Sequence, residues 1–256
     1  MKLTGSTILI TGGGSGIGRG LAEALHKLGN QVIISGRRKG HLEDTVKANP
    51  GMQAVELDVT DPANIDTVAK RLIAEFPKLN VLINNAGIMQ VDDAAGGVDE
   101  GLLVSTVTTN LLGPIRLTSA LIEHLKSQKA ATVIHMTSVL GFVPLAPTAV
   151  YSATKAALHS YTLSQRYKLK DTSVEVLEIA PPWVQTELLN SSEEPRAMPL
   201  GDFIKETIEA LGAASEEVLV ERAKFLRGNP GPAEHAFVNQ FNDAFLEGRS
   251  RQPPHS

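Results

Sequence analysis

The sequence has 256 residues, 42% of them hydrophobic, and a formal net charge of -4 at pH 7. A chain of this size can bury one sizeable core, and α/β folds of this length often form one domain. The mild acidity and the lack of a dense Lys/Arg block argue against a nucleic-acid or membrane-surface binder, and the absence of cysteine excludes disulfides, thiolate nucleophiles and Cys-ligated metal.

In chain order, short β-branched runs alternate with longer amphipathic stretches. Met1 to Ser6 is followed by only a short apolar run, too brief for a secretory signal, and no run approaches the roughly 18 apolar residues of a membrane span. A cytoplasmic location is the expectation. Thr7 to Ile10 reads as a first strand, buried on both faces of a parallel sheet. Gly12 to Gly18 breaks the chain, and Leu21, Ala22, Leu25 and Leu28 mark an amphipathic helix ending near Gly29. Gln31 to Ile34 is a strand, Leu42 to Ala48 a helix and Ala54 to Leu57 a third strand. A helix over Ile65 to Phe76 follows, with Asp61 as its N-cap before Pro62. Val81 to Ile83 is a strand, followed by a long helix from about Gly101 to Leu112 and another from Ile115 to Lys126. Thr132 to Met136 is a strand, Ala149 to Lys170 a helix and Val174 to Ile179 a strand. This rhythm predicts a Rossmann-type doubly wound parallel sheet, a three-layer α/β/α single domain over residues 1–248. The Pro-rich stretch 181–200 reads as a substrate lid, and residues 249–256 as a disordered tail.

The first half points to a dinucleotide. Gly12, Ser15, Gly16, Ile17 and Gly18 lie between a strand and a helix. There glycines permit a tight turn, and free N–H groups at the helix start attract a pyrophosphate. A tight turn with no ligand is the plain alternative. After strand 2 an acid would bind a ribose 2′-hydroxyl, but Gly36 stands there, followed by Arg37 and Arg38. Guanidiniums match a phosphate, so Arg37, with Arg38 as helper, is expected to bind the 2′-phosphate of NADP(H). The alternative is a solvated charge pair opening the next helix. Asp58 and Val59 close strand 3, where Asp58 either accepts from an adenine amino group or only shapes a turn. Asn84, Asn85, Ala86 and Gly87 close strand 4, lining a cofactor cleft or forming a turn.

The second half carries acid–base candidates. Tyr151 and Lys155 are four apart on a predicted helix and share a face. A nearby ammonium is expected to lower the phenol pKa toward working pH, so that Tyr151 can give a proton to a carbonyl oxygen as hydride arrives, or take it back. Ser138 can donate to the same oxygen, and Asn110, polar and inside a helix, needs partners, a water relay being one candidate. Singly, each has an ordinary structural explanation.

Together these motifs resemble the short-chain dehydrogenases/reductases across nearly the whole chain: Thr11-Gly12-x-x-x-Gly16-Ile17-Gly18, Asp58-Val59, Asn84-Asn85-Ala86-Gly87, Asn110, Ser138 and Tyr151-x-x-x-Lys155, in order. The resemblance implies Tyr151 as general acid/base and Lys155 as the residue that binds the nicotinamide ribose and lowers the Tyr151 pKa. It implies Ser138 as the group that positions the carbonyl, and Asn110 as the holder of a helix bend and a relay water. The basic residues after strand 2 resemble the NADP-preferring subgroup. One departure stands out: the family's Pro-Gly-x-Val-x-Thr reads Pro181-Pro182-Trp183-Val184-Gln185-Thr186 here, and Pro182 cannot take the positive φ that Gly allows. Pro181, Val184 and Thr186 keep their implied place at the nicotinamide. The Pro-Pro variant and the stretch Val218 to Phe225 resemble bacterial DltE-like oxidoreductases.

The segments after Gly87, Ser138 and Pro181 are expected to line the substrate pocket with mostly apolar side chains, chiefly Met89, Leu140, Phe142, Trp183 and Leu188. They predict an uncharged hydrophobic or aromatic ketone or aldehyde as the small-molecule partner; ordinary core packing is the alternative for each. The function expected is an NADPH-dependent carbonyl reductase, or alcohol dehydrogenase in reverse. Nucleotide-sugar epimerases and dehydratases are similar but longer, with an added substrate domain. A non-catalytic NADP-binding sensor is the alternative from another class, although such proteins tend to lose the Tyr or Lys. The seven histidines are scattered, so no metal is expected. The resemblance implies a homodimer or homotetramer.

Overall fold

The computed structural model describes residues 1–97, 99–213, 216–229 and 231–250. Strand β1 (Thr7–Thr11) leads through the Gly-rich turn into helix α1 (Gly16–Lys27). There follow β2 (Gln31–Gly36), α2 (Lys39–Ala48), β3 (Gln53–Glu56), α3 (Pro62–Glu75) and β4 (Leu79–Asn84). The second half runs through α4 (Glu100–Val107), α5 (Gly113–Ser127), β5 (Ala131–Met136), α6 (Ala149–Leu169) and β6 (Val174–Ile179). It closes with α7 (Leu200–Ala213), the short β7 (Glu217–Val218), α8 (Glu221–Arg227) and α9 (Glu234–Ser250).

Among the described residues the strands form one seven-stranded sheet, ordered β3-β2-β1-β4-β5-β6-β7. Every pairing is parallel. The alternation of β1 shows why helices cover both faces. Ile8 and Ile10 point into one core with Leu21 and Leu25 of α1 and Phe203 of α7. Leu9 points into the other, with Leu72 of α3 and Leu117 and Leu121 of α5. Both faces are therefore apolar, and the expected three-layer α/β/α arrangement follows. The strand order reverses between β1 and β4, and the chain leaves these neighbours toward opposite faces, which opens a crevice at their C-terminal ends.

Local signals explain several boundaries. Asp61 caps α3 by accepting from Ala63 N at 2.9 Å, with Pro62 in the first turn. The expected long helix to Leu112 is interrupted: α4 ends at Val107 and Thr108–Leu112 is a π-helical turn that contains Asn110. Helices α7, α8 and α9 were not anticipated, although Phe237, Phe241 and Phe245, spaced by four, carry the signal for α9. Asn242 docks α9 by donating to the Pro144 carbonyl at 3.0 Å. The helix runs to Ser250, and the rest of the expected tail, residues 251–256, lies outside the described residues. No helix of the described residues is long and apolar enough to cross a membrane.

His135, fully buried on β5, holds its strand to the neighbouring helix. Its Nε2 lies 2.8 Å from Gln165 Oε1 and its Nδ1 lies 3.4 Å from Asn84 Nδ2, so one neutral tautomer satisfies both. Burial pushes its pKa down to about 4. Below its ordinary value near 6.5, the unfolded chain takes up a proton that the folded chain refuses, so stability falls as pH drops from 6.5 toward 4. Urea unfolding is expected to lose about 2.5 kcal/mol between about pH 7 and about pH 4.5 from this residue, a loss absent from the His135→Gln protein.

Candidate active site

A cavity of about 720 Å³ follows the C-terminal ends of the central strands. Its floor begins at the Gly-rich turn. Gly12 (φ +67°) and Gly16 (φ +52°) are left-handed, and a Cβ on Gly18 would sit 2.3 Å from the Gly12 carbonyl oxygen. Only a bare backbone fits there. Ser15 occupies the N-cap of α1 without capping it; its Oγ instead accepts from Arg38 Nη2 at 2.7 Å. The first-turn amides of α1 keep their donor capacity beside the cavity that Ser15, Gly16, Ile17 and Gly18 line. This cradle fits the pyrophosphate of a dinucleotide.

Arg37 and Arg38 are exposed and line the same cavity. Arg38 bridges Ser15 and Glu187 (3.3 Å), and the charge of Arg37 reaches Asp58. Asp58 does not line the cavity, although Val59 and Thr60 do. Its carboxylate turns back to accept from the Thr60 amide at 2.9 Å and the Thr60 hydroxyl at 2.7 Å. Burial raises its pKa, but those two bonds and Arg37 outweigh burial and hold it below the ordinary value. The turn-forming role is the one the geometry shows.

The end of β4 is clasped to the end of β1. Thr11 Oγ1 accepts from the amides of Asn85 (3.0 Å) and Ala86 (2.9 Å), and Asn85 Nδ2 donates to the Thr11 carbonyl at 2.9 Å. Asn85, Ala86 and Gly87 are thereby presented to the cavity, while Asn84 points away to Thr118. On the far wall, Pro181, Pro182, Val184 and Thr186 line the cavity. Val139 N donates to the Pro181 carbonyl at 3.1 Å, which ties this turn to β5 despite the replaced glycine.

The acid–base residues converge at the centre. Tyr151 and Lys155 are buried on one face of α6, with Lys155 Nζ 5.5 Å from the phenol ring centre. Lys155 Nζ donates to the Met136 carbonyl at 2.7 Å, and Ser138 lines the cavity beside Tyr151. Burial pushes the phenol up to about 12, with the Ser138 side chain opposing, and pushes Lys155 down to about 8. The lowered phenol pKa expected from the neighbouring ammonium is thus not what this site shows: desolvation dominates. The phenol keeps its proton at neutral pH. Asn110 lies behind the cavity wall. Its Oδ1 accepts from Ile88 N at 2.9 Å and its Nδ2 donates to the Ile88 carbonyl at 2.8 Å, so it fastens the π-helical turn to the loop after β4.

Of the expected substrate residues, Met89, Leu140, Trp183 and Leu188 line the cavity. Phe142 does not. It packs with Val143 and Ala180 and meets the His159 ring edge-on at 4.9 Å, because the turn after Ser138 carries it away from the opening. Leu226, Phe241 and Phe245, from the unanticipated α8 and α9, supply apolar wall that sequence reasoning missed. The segment 181–200 is partly ordered by a bridge between Val184 and Met198. Arg196 lies over Trp183 (4.9 Å) and Phe245 (5.6 Å), joining the segment 181–200 to α9. Among the described residues, His159, Glu178 and Glu217 have potential metal-ligand atoms within 4.8 Å of one another.

The comparisons agree with this geometry. The family profile described as short chain dehydrogenase matches residues 6–197. The uncharacterized oxidoreductase DltE of Bacillus subtilis (strain 168) is 39% identical over 234 residues, which cover 89% of this chain and 92% of that protein. An NADP-dependent 3-hydroxy acid dehydrogenase of Schizosaccharomyces pombe is 33% identical over 192 residues, or 73% and 74% of the two chains. A short chain dehydrogenase from Burkholderia cenocepacia J2315, solved in complex with NADP, superposes with a TM-score of 0.81 at 26% identity, covering 99% of this chain and 100% of that one. The chain therefore belongs to the short-chain dehydrogenase family, and with it to the oxidoreductases.

The clasp can be tested by itself. Thr11→Val leaves the Ala86 amide without its acceptor and the Asn85 amide with the Ile83 carbonyl alone (3.1 Å), which is expected to cost about 1–2 kcal/mol in urea unfolding; an unchanged unfolding midpoint would show that another group accepts from Ala86.

Proposed function

We propose that the protein is an NADPH-dependent carbonyl reductase, an alcohol dehydrogenase in reverse, acting on hydrophobic or aromatic ketones or aldehydes. One observation carries the reading: Tyr151, Ser138 and Lys155 meet in a single cavity whose other end holds the Gly-rich cradle, Arg37 and Arg38. The nicotinamide, when bound, supplies the hydride. Ser138 and Tyr151 hold the carbonyl oxygen by two donors, which favours charge on that oxygen as the reaction proceeds. Tyr151, protonated because it is buried, delivers its phenolic proton to the oxygen. Lys155 titrates near about 8, so it can hold or yield a proton close to working pH. Hydride and proton together convert C=O to CH–OH; oxidation runs the same atoms backward. Asn110 acts by keeping the loop at Gly87 and Ile88 in place.

The preference for NADPH rests on the paired guanidiniums after β2, where no acid is available for a ribose hydroxyl. The NADP named for the Burkholderia cenocepacia structure and for the Schizosaccharomyces pombe relative supports it. The substrate class rests on the apolar wall of Met89, Leu140, Trp183 and Leu188, extended by Phe241 and Phe245. The pyrophosphate is assigned to Gly12, Ser15, Gly16, Ile17 and Gly18, with the nicotinamide side held by Pro181, Val184 and Thr186. A homodimer or homotetramer and a cytoplasmic setting complete the reading.

Following NADPH absorbance against aryl ketones, aliphatic aldehydes and keto acids is expected to show turnover with the first class and little with charged keto acids. Tyr151→Phe is expected to lose about 100-fold or more in kcat. The Arg37→Ala/Arg38→Ala protein is expected to raise KM for NADPH by about tenfold or more while leaving KM for NADH nearly unchanged. Equal use of both cofactors by the unaltered protein overturns the assignment of Arg37 and Arg38, and NADPH binding without any turnover points instead to a sensor.

A further inference from the structure

Helix α6 presents a third polar residue on the face that carries Tyr151 and Lys155. Tyr151, Lys155 and His159 are spaced by four, so they stack along one side of the helix. Lys155 is tied to β5 through the Met136 carbonyl. His159 is tied to β6: its Nδ1 donates to both oxygens of Glu178, at 3.0 and 2.8 Å. The Glu178 side chain is only 1% exposed, in a strand otherwise rich in buried aliphatic residues. Thr137 Oγ1 donates to the same carboxylate at 2.6 Å. Thr137 lines the cavity and stands between Met136, which anchors Lys155, and Ser138, which meets Tyr151.

A carboxylate this buried costs several kcal/mol unless it is paired, and an aliphatic side chain would fill the same space without that cost. Its surroundings suggest what the charge does. The charged or titratable groups packed around it are Lys155, His159 and Arg166 on α6, His135 on β5, Glu217 on β7 and Arg227 on α8. Glu217 is taken by Arg227 in a two-bond pair at 2.9 Å each. The oxygens of Glu178 are taken by Thr137 and His159, so this cluster is a charge network rather than a metal site. Lys155, by contrast, is buried with its hydrogen bond on a neutral carbonyl, which gives no counter-charge. Burial pushes Lys155 toward neutrality, and Glu178 opposes that push.

We propose that Glu178 is a positioning residue: through His159 and Thr137 its carboxylate holds the Tyr151–Lys155 face of α6 against β5 and β6, and it is the counter-charge that keeps Lys155 an ammonium. The consequence for turnover rests on the reductase reading above, but the ionisation of Lys155 can be read without any substrate. The measurement is a pH titration of the Lys155 ε-carbon by 13C NMR in the full chain, with the signal assigned by Lys155→Arg, and kcat–pH profiles run alongside. Glu178→Gln keeps the shape and removes the charge. It is expected to lower the Lys155 midpoint by about one pH unit or more and to move the basic limb of kcat the same way. Glu178→Asp keeps the charge and is expected to restore the midpoint to within about 0.3 unit, as is His159→Gln, which leaves the carboxylate in place. A midpoint that stays put in Glu178→Gln overturns the proposal, as does one that falls by about a unit in Glu178→Asp or His159→Gln. A purely structural Glu178 would lower thermal stability without moving either titration. If Lys155 shifts as expected but no carbonyl compound is ever turned over, the proposal stands and the reductase reading falls.

Discussion

The clasp between β1 and β4 is the constraint on which the site depends. These strands are neighbours in the sheet, yet the helices after them pack on opposite faces, so the chain must diverge at their ends. The divergence takes the backbone amides after β4 out of the sheet ladder. Thr11 satisfies two of them with one hydroxyl, and Asn85 returns a bond to the Thr11 carbonyl. The turn at Gly12 and the loop at Asn85 to Gly87 therefore cannot separate, and the crevice between them has a fixed floor. Asn110 repeats the device one layer out, replacing lost helical bonds at the π-helical turn with two bonds to Ile88.

Upon that floor, burial sets the chemistry. The same desolvation that raises the Tyr151 phenol lowers the Lys155 ammonium, which spreads two groups of nearly equal proton affinity in water to about 12 and about 8. A phenol that keeps its proton is suited to protonating an oxygen, and a lysine near about 8 can exchange a proton at modest cost. Neither group would behave so on the exposed helix surface that their spacing alone describes. The buried Glu178 belongs to this same balance, because an interior that discharges a lysine needs an anion nearby to limit the effect.

The outer wall is built from parts distant in sequence. Trp183 and Arg196 come from the segment between β6 and α7 and Phe245 from α9, and they meet in one stacked cluster whose indole Nε1 donates to Ser191 at 2.8 Å. Within this segment Leu189 and Asn190 adopt left-handed backbone (φ 55° and 53°), a conformation that bulky L-residues accept only when their surroundings hold them there. This segment and the C-terminal helix thus line the cavity together.

Some of this was legible in the residues alone, wherever the signal lies within one element. The glycine spacing before α1, the Asp61 cap and the four-residue step from Tyr151 to Lys155 are local, and a period or a cap acts over a few bonds. The alternation of buried aliphatic runs and amphipathic helices likewise determined the parallel, three-layer sheet. The tertiary structure decided what depends on which way a side chain faces between elements. It turned Asp58 into its own loop, carried Phe142 into the core, placed Asn110 in a π-helical turn and brought α9 over the cavity. It also joined Glu178 to His159 on the helix that carries Tyr151 and Lys155. Those outcomes are set by packing and desolvation among residues dozens of positions apart, and neither composition nor spacing encodes such contacts one residue at a time.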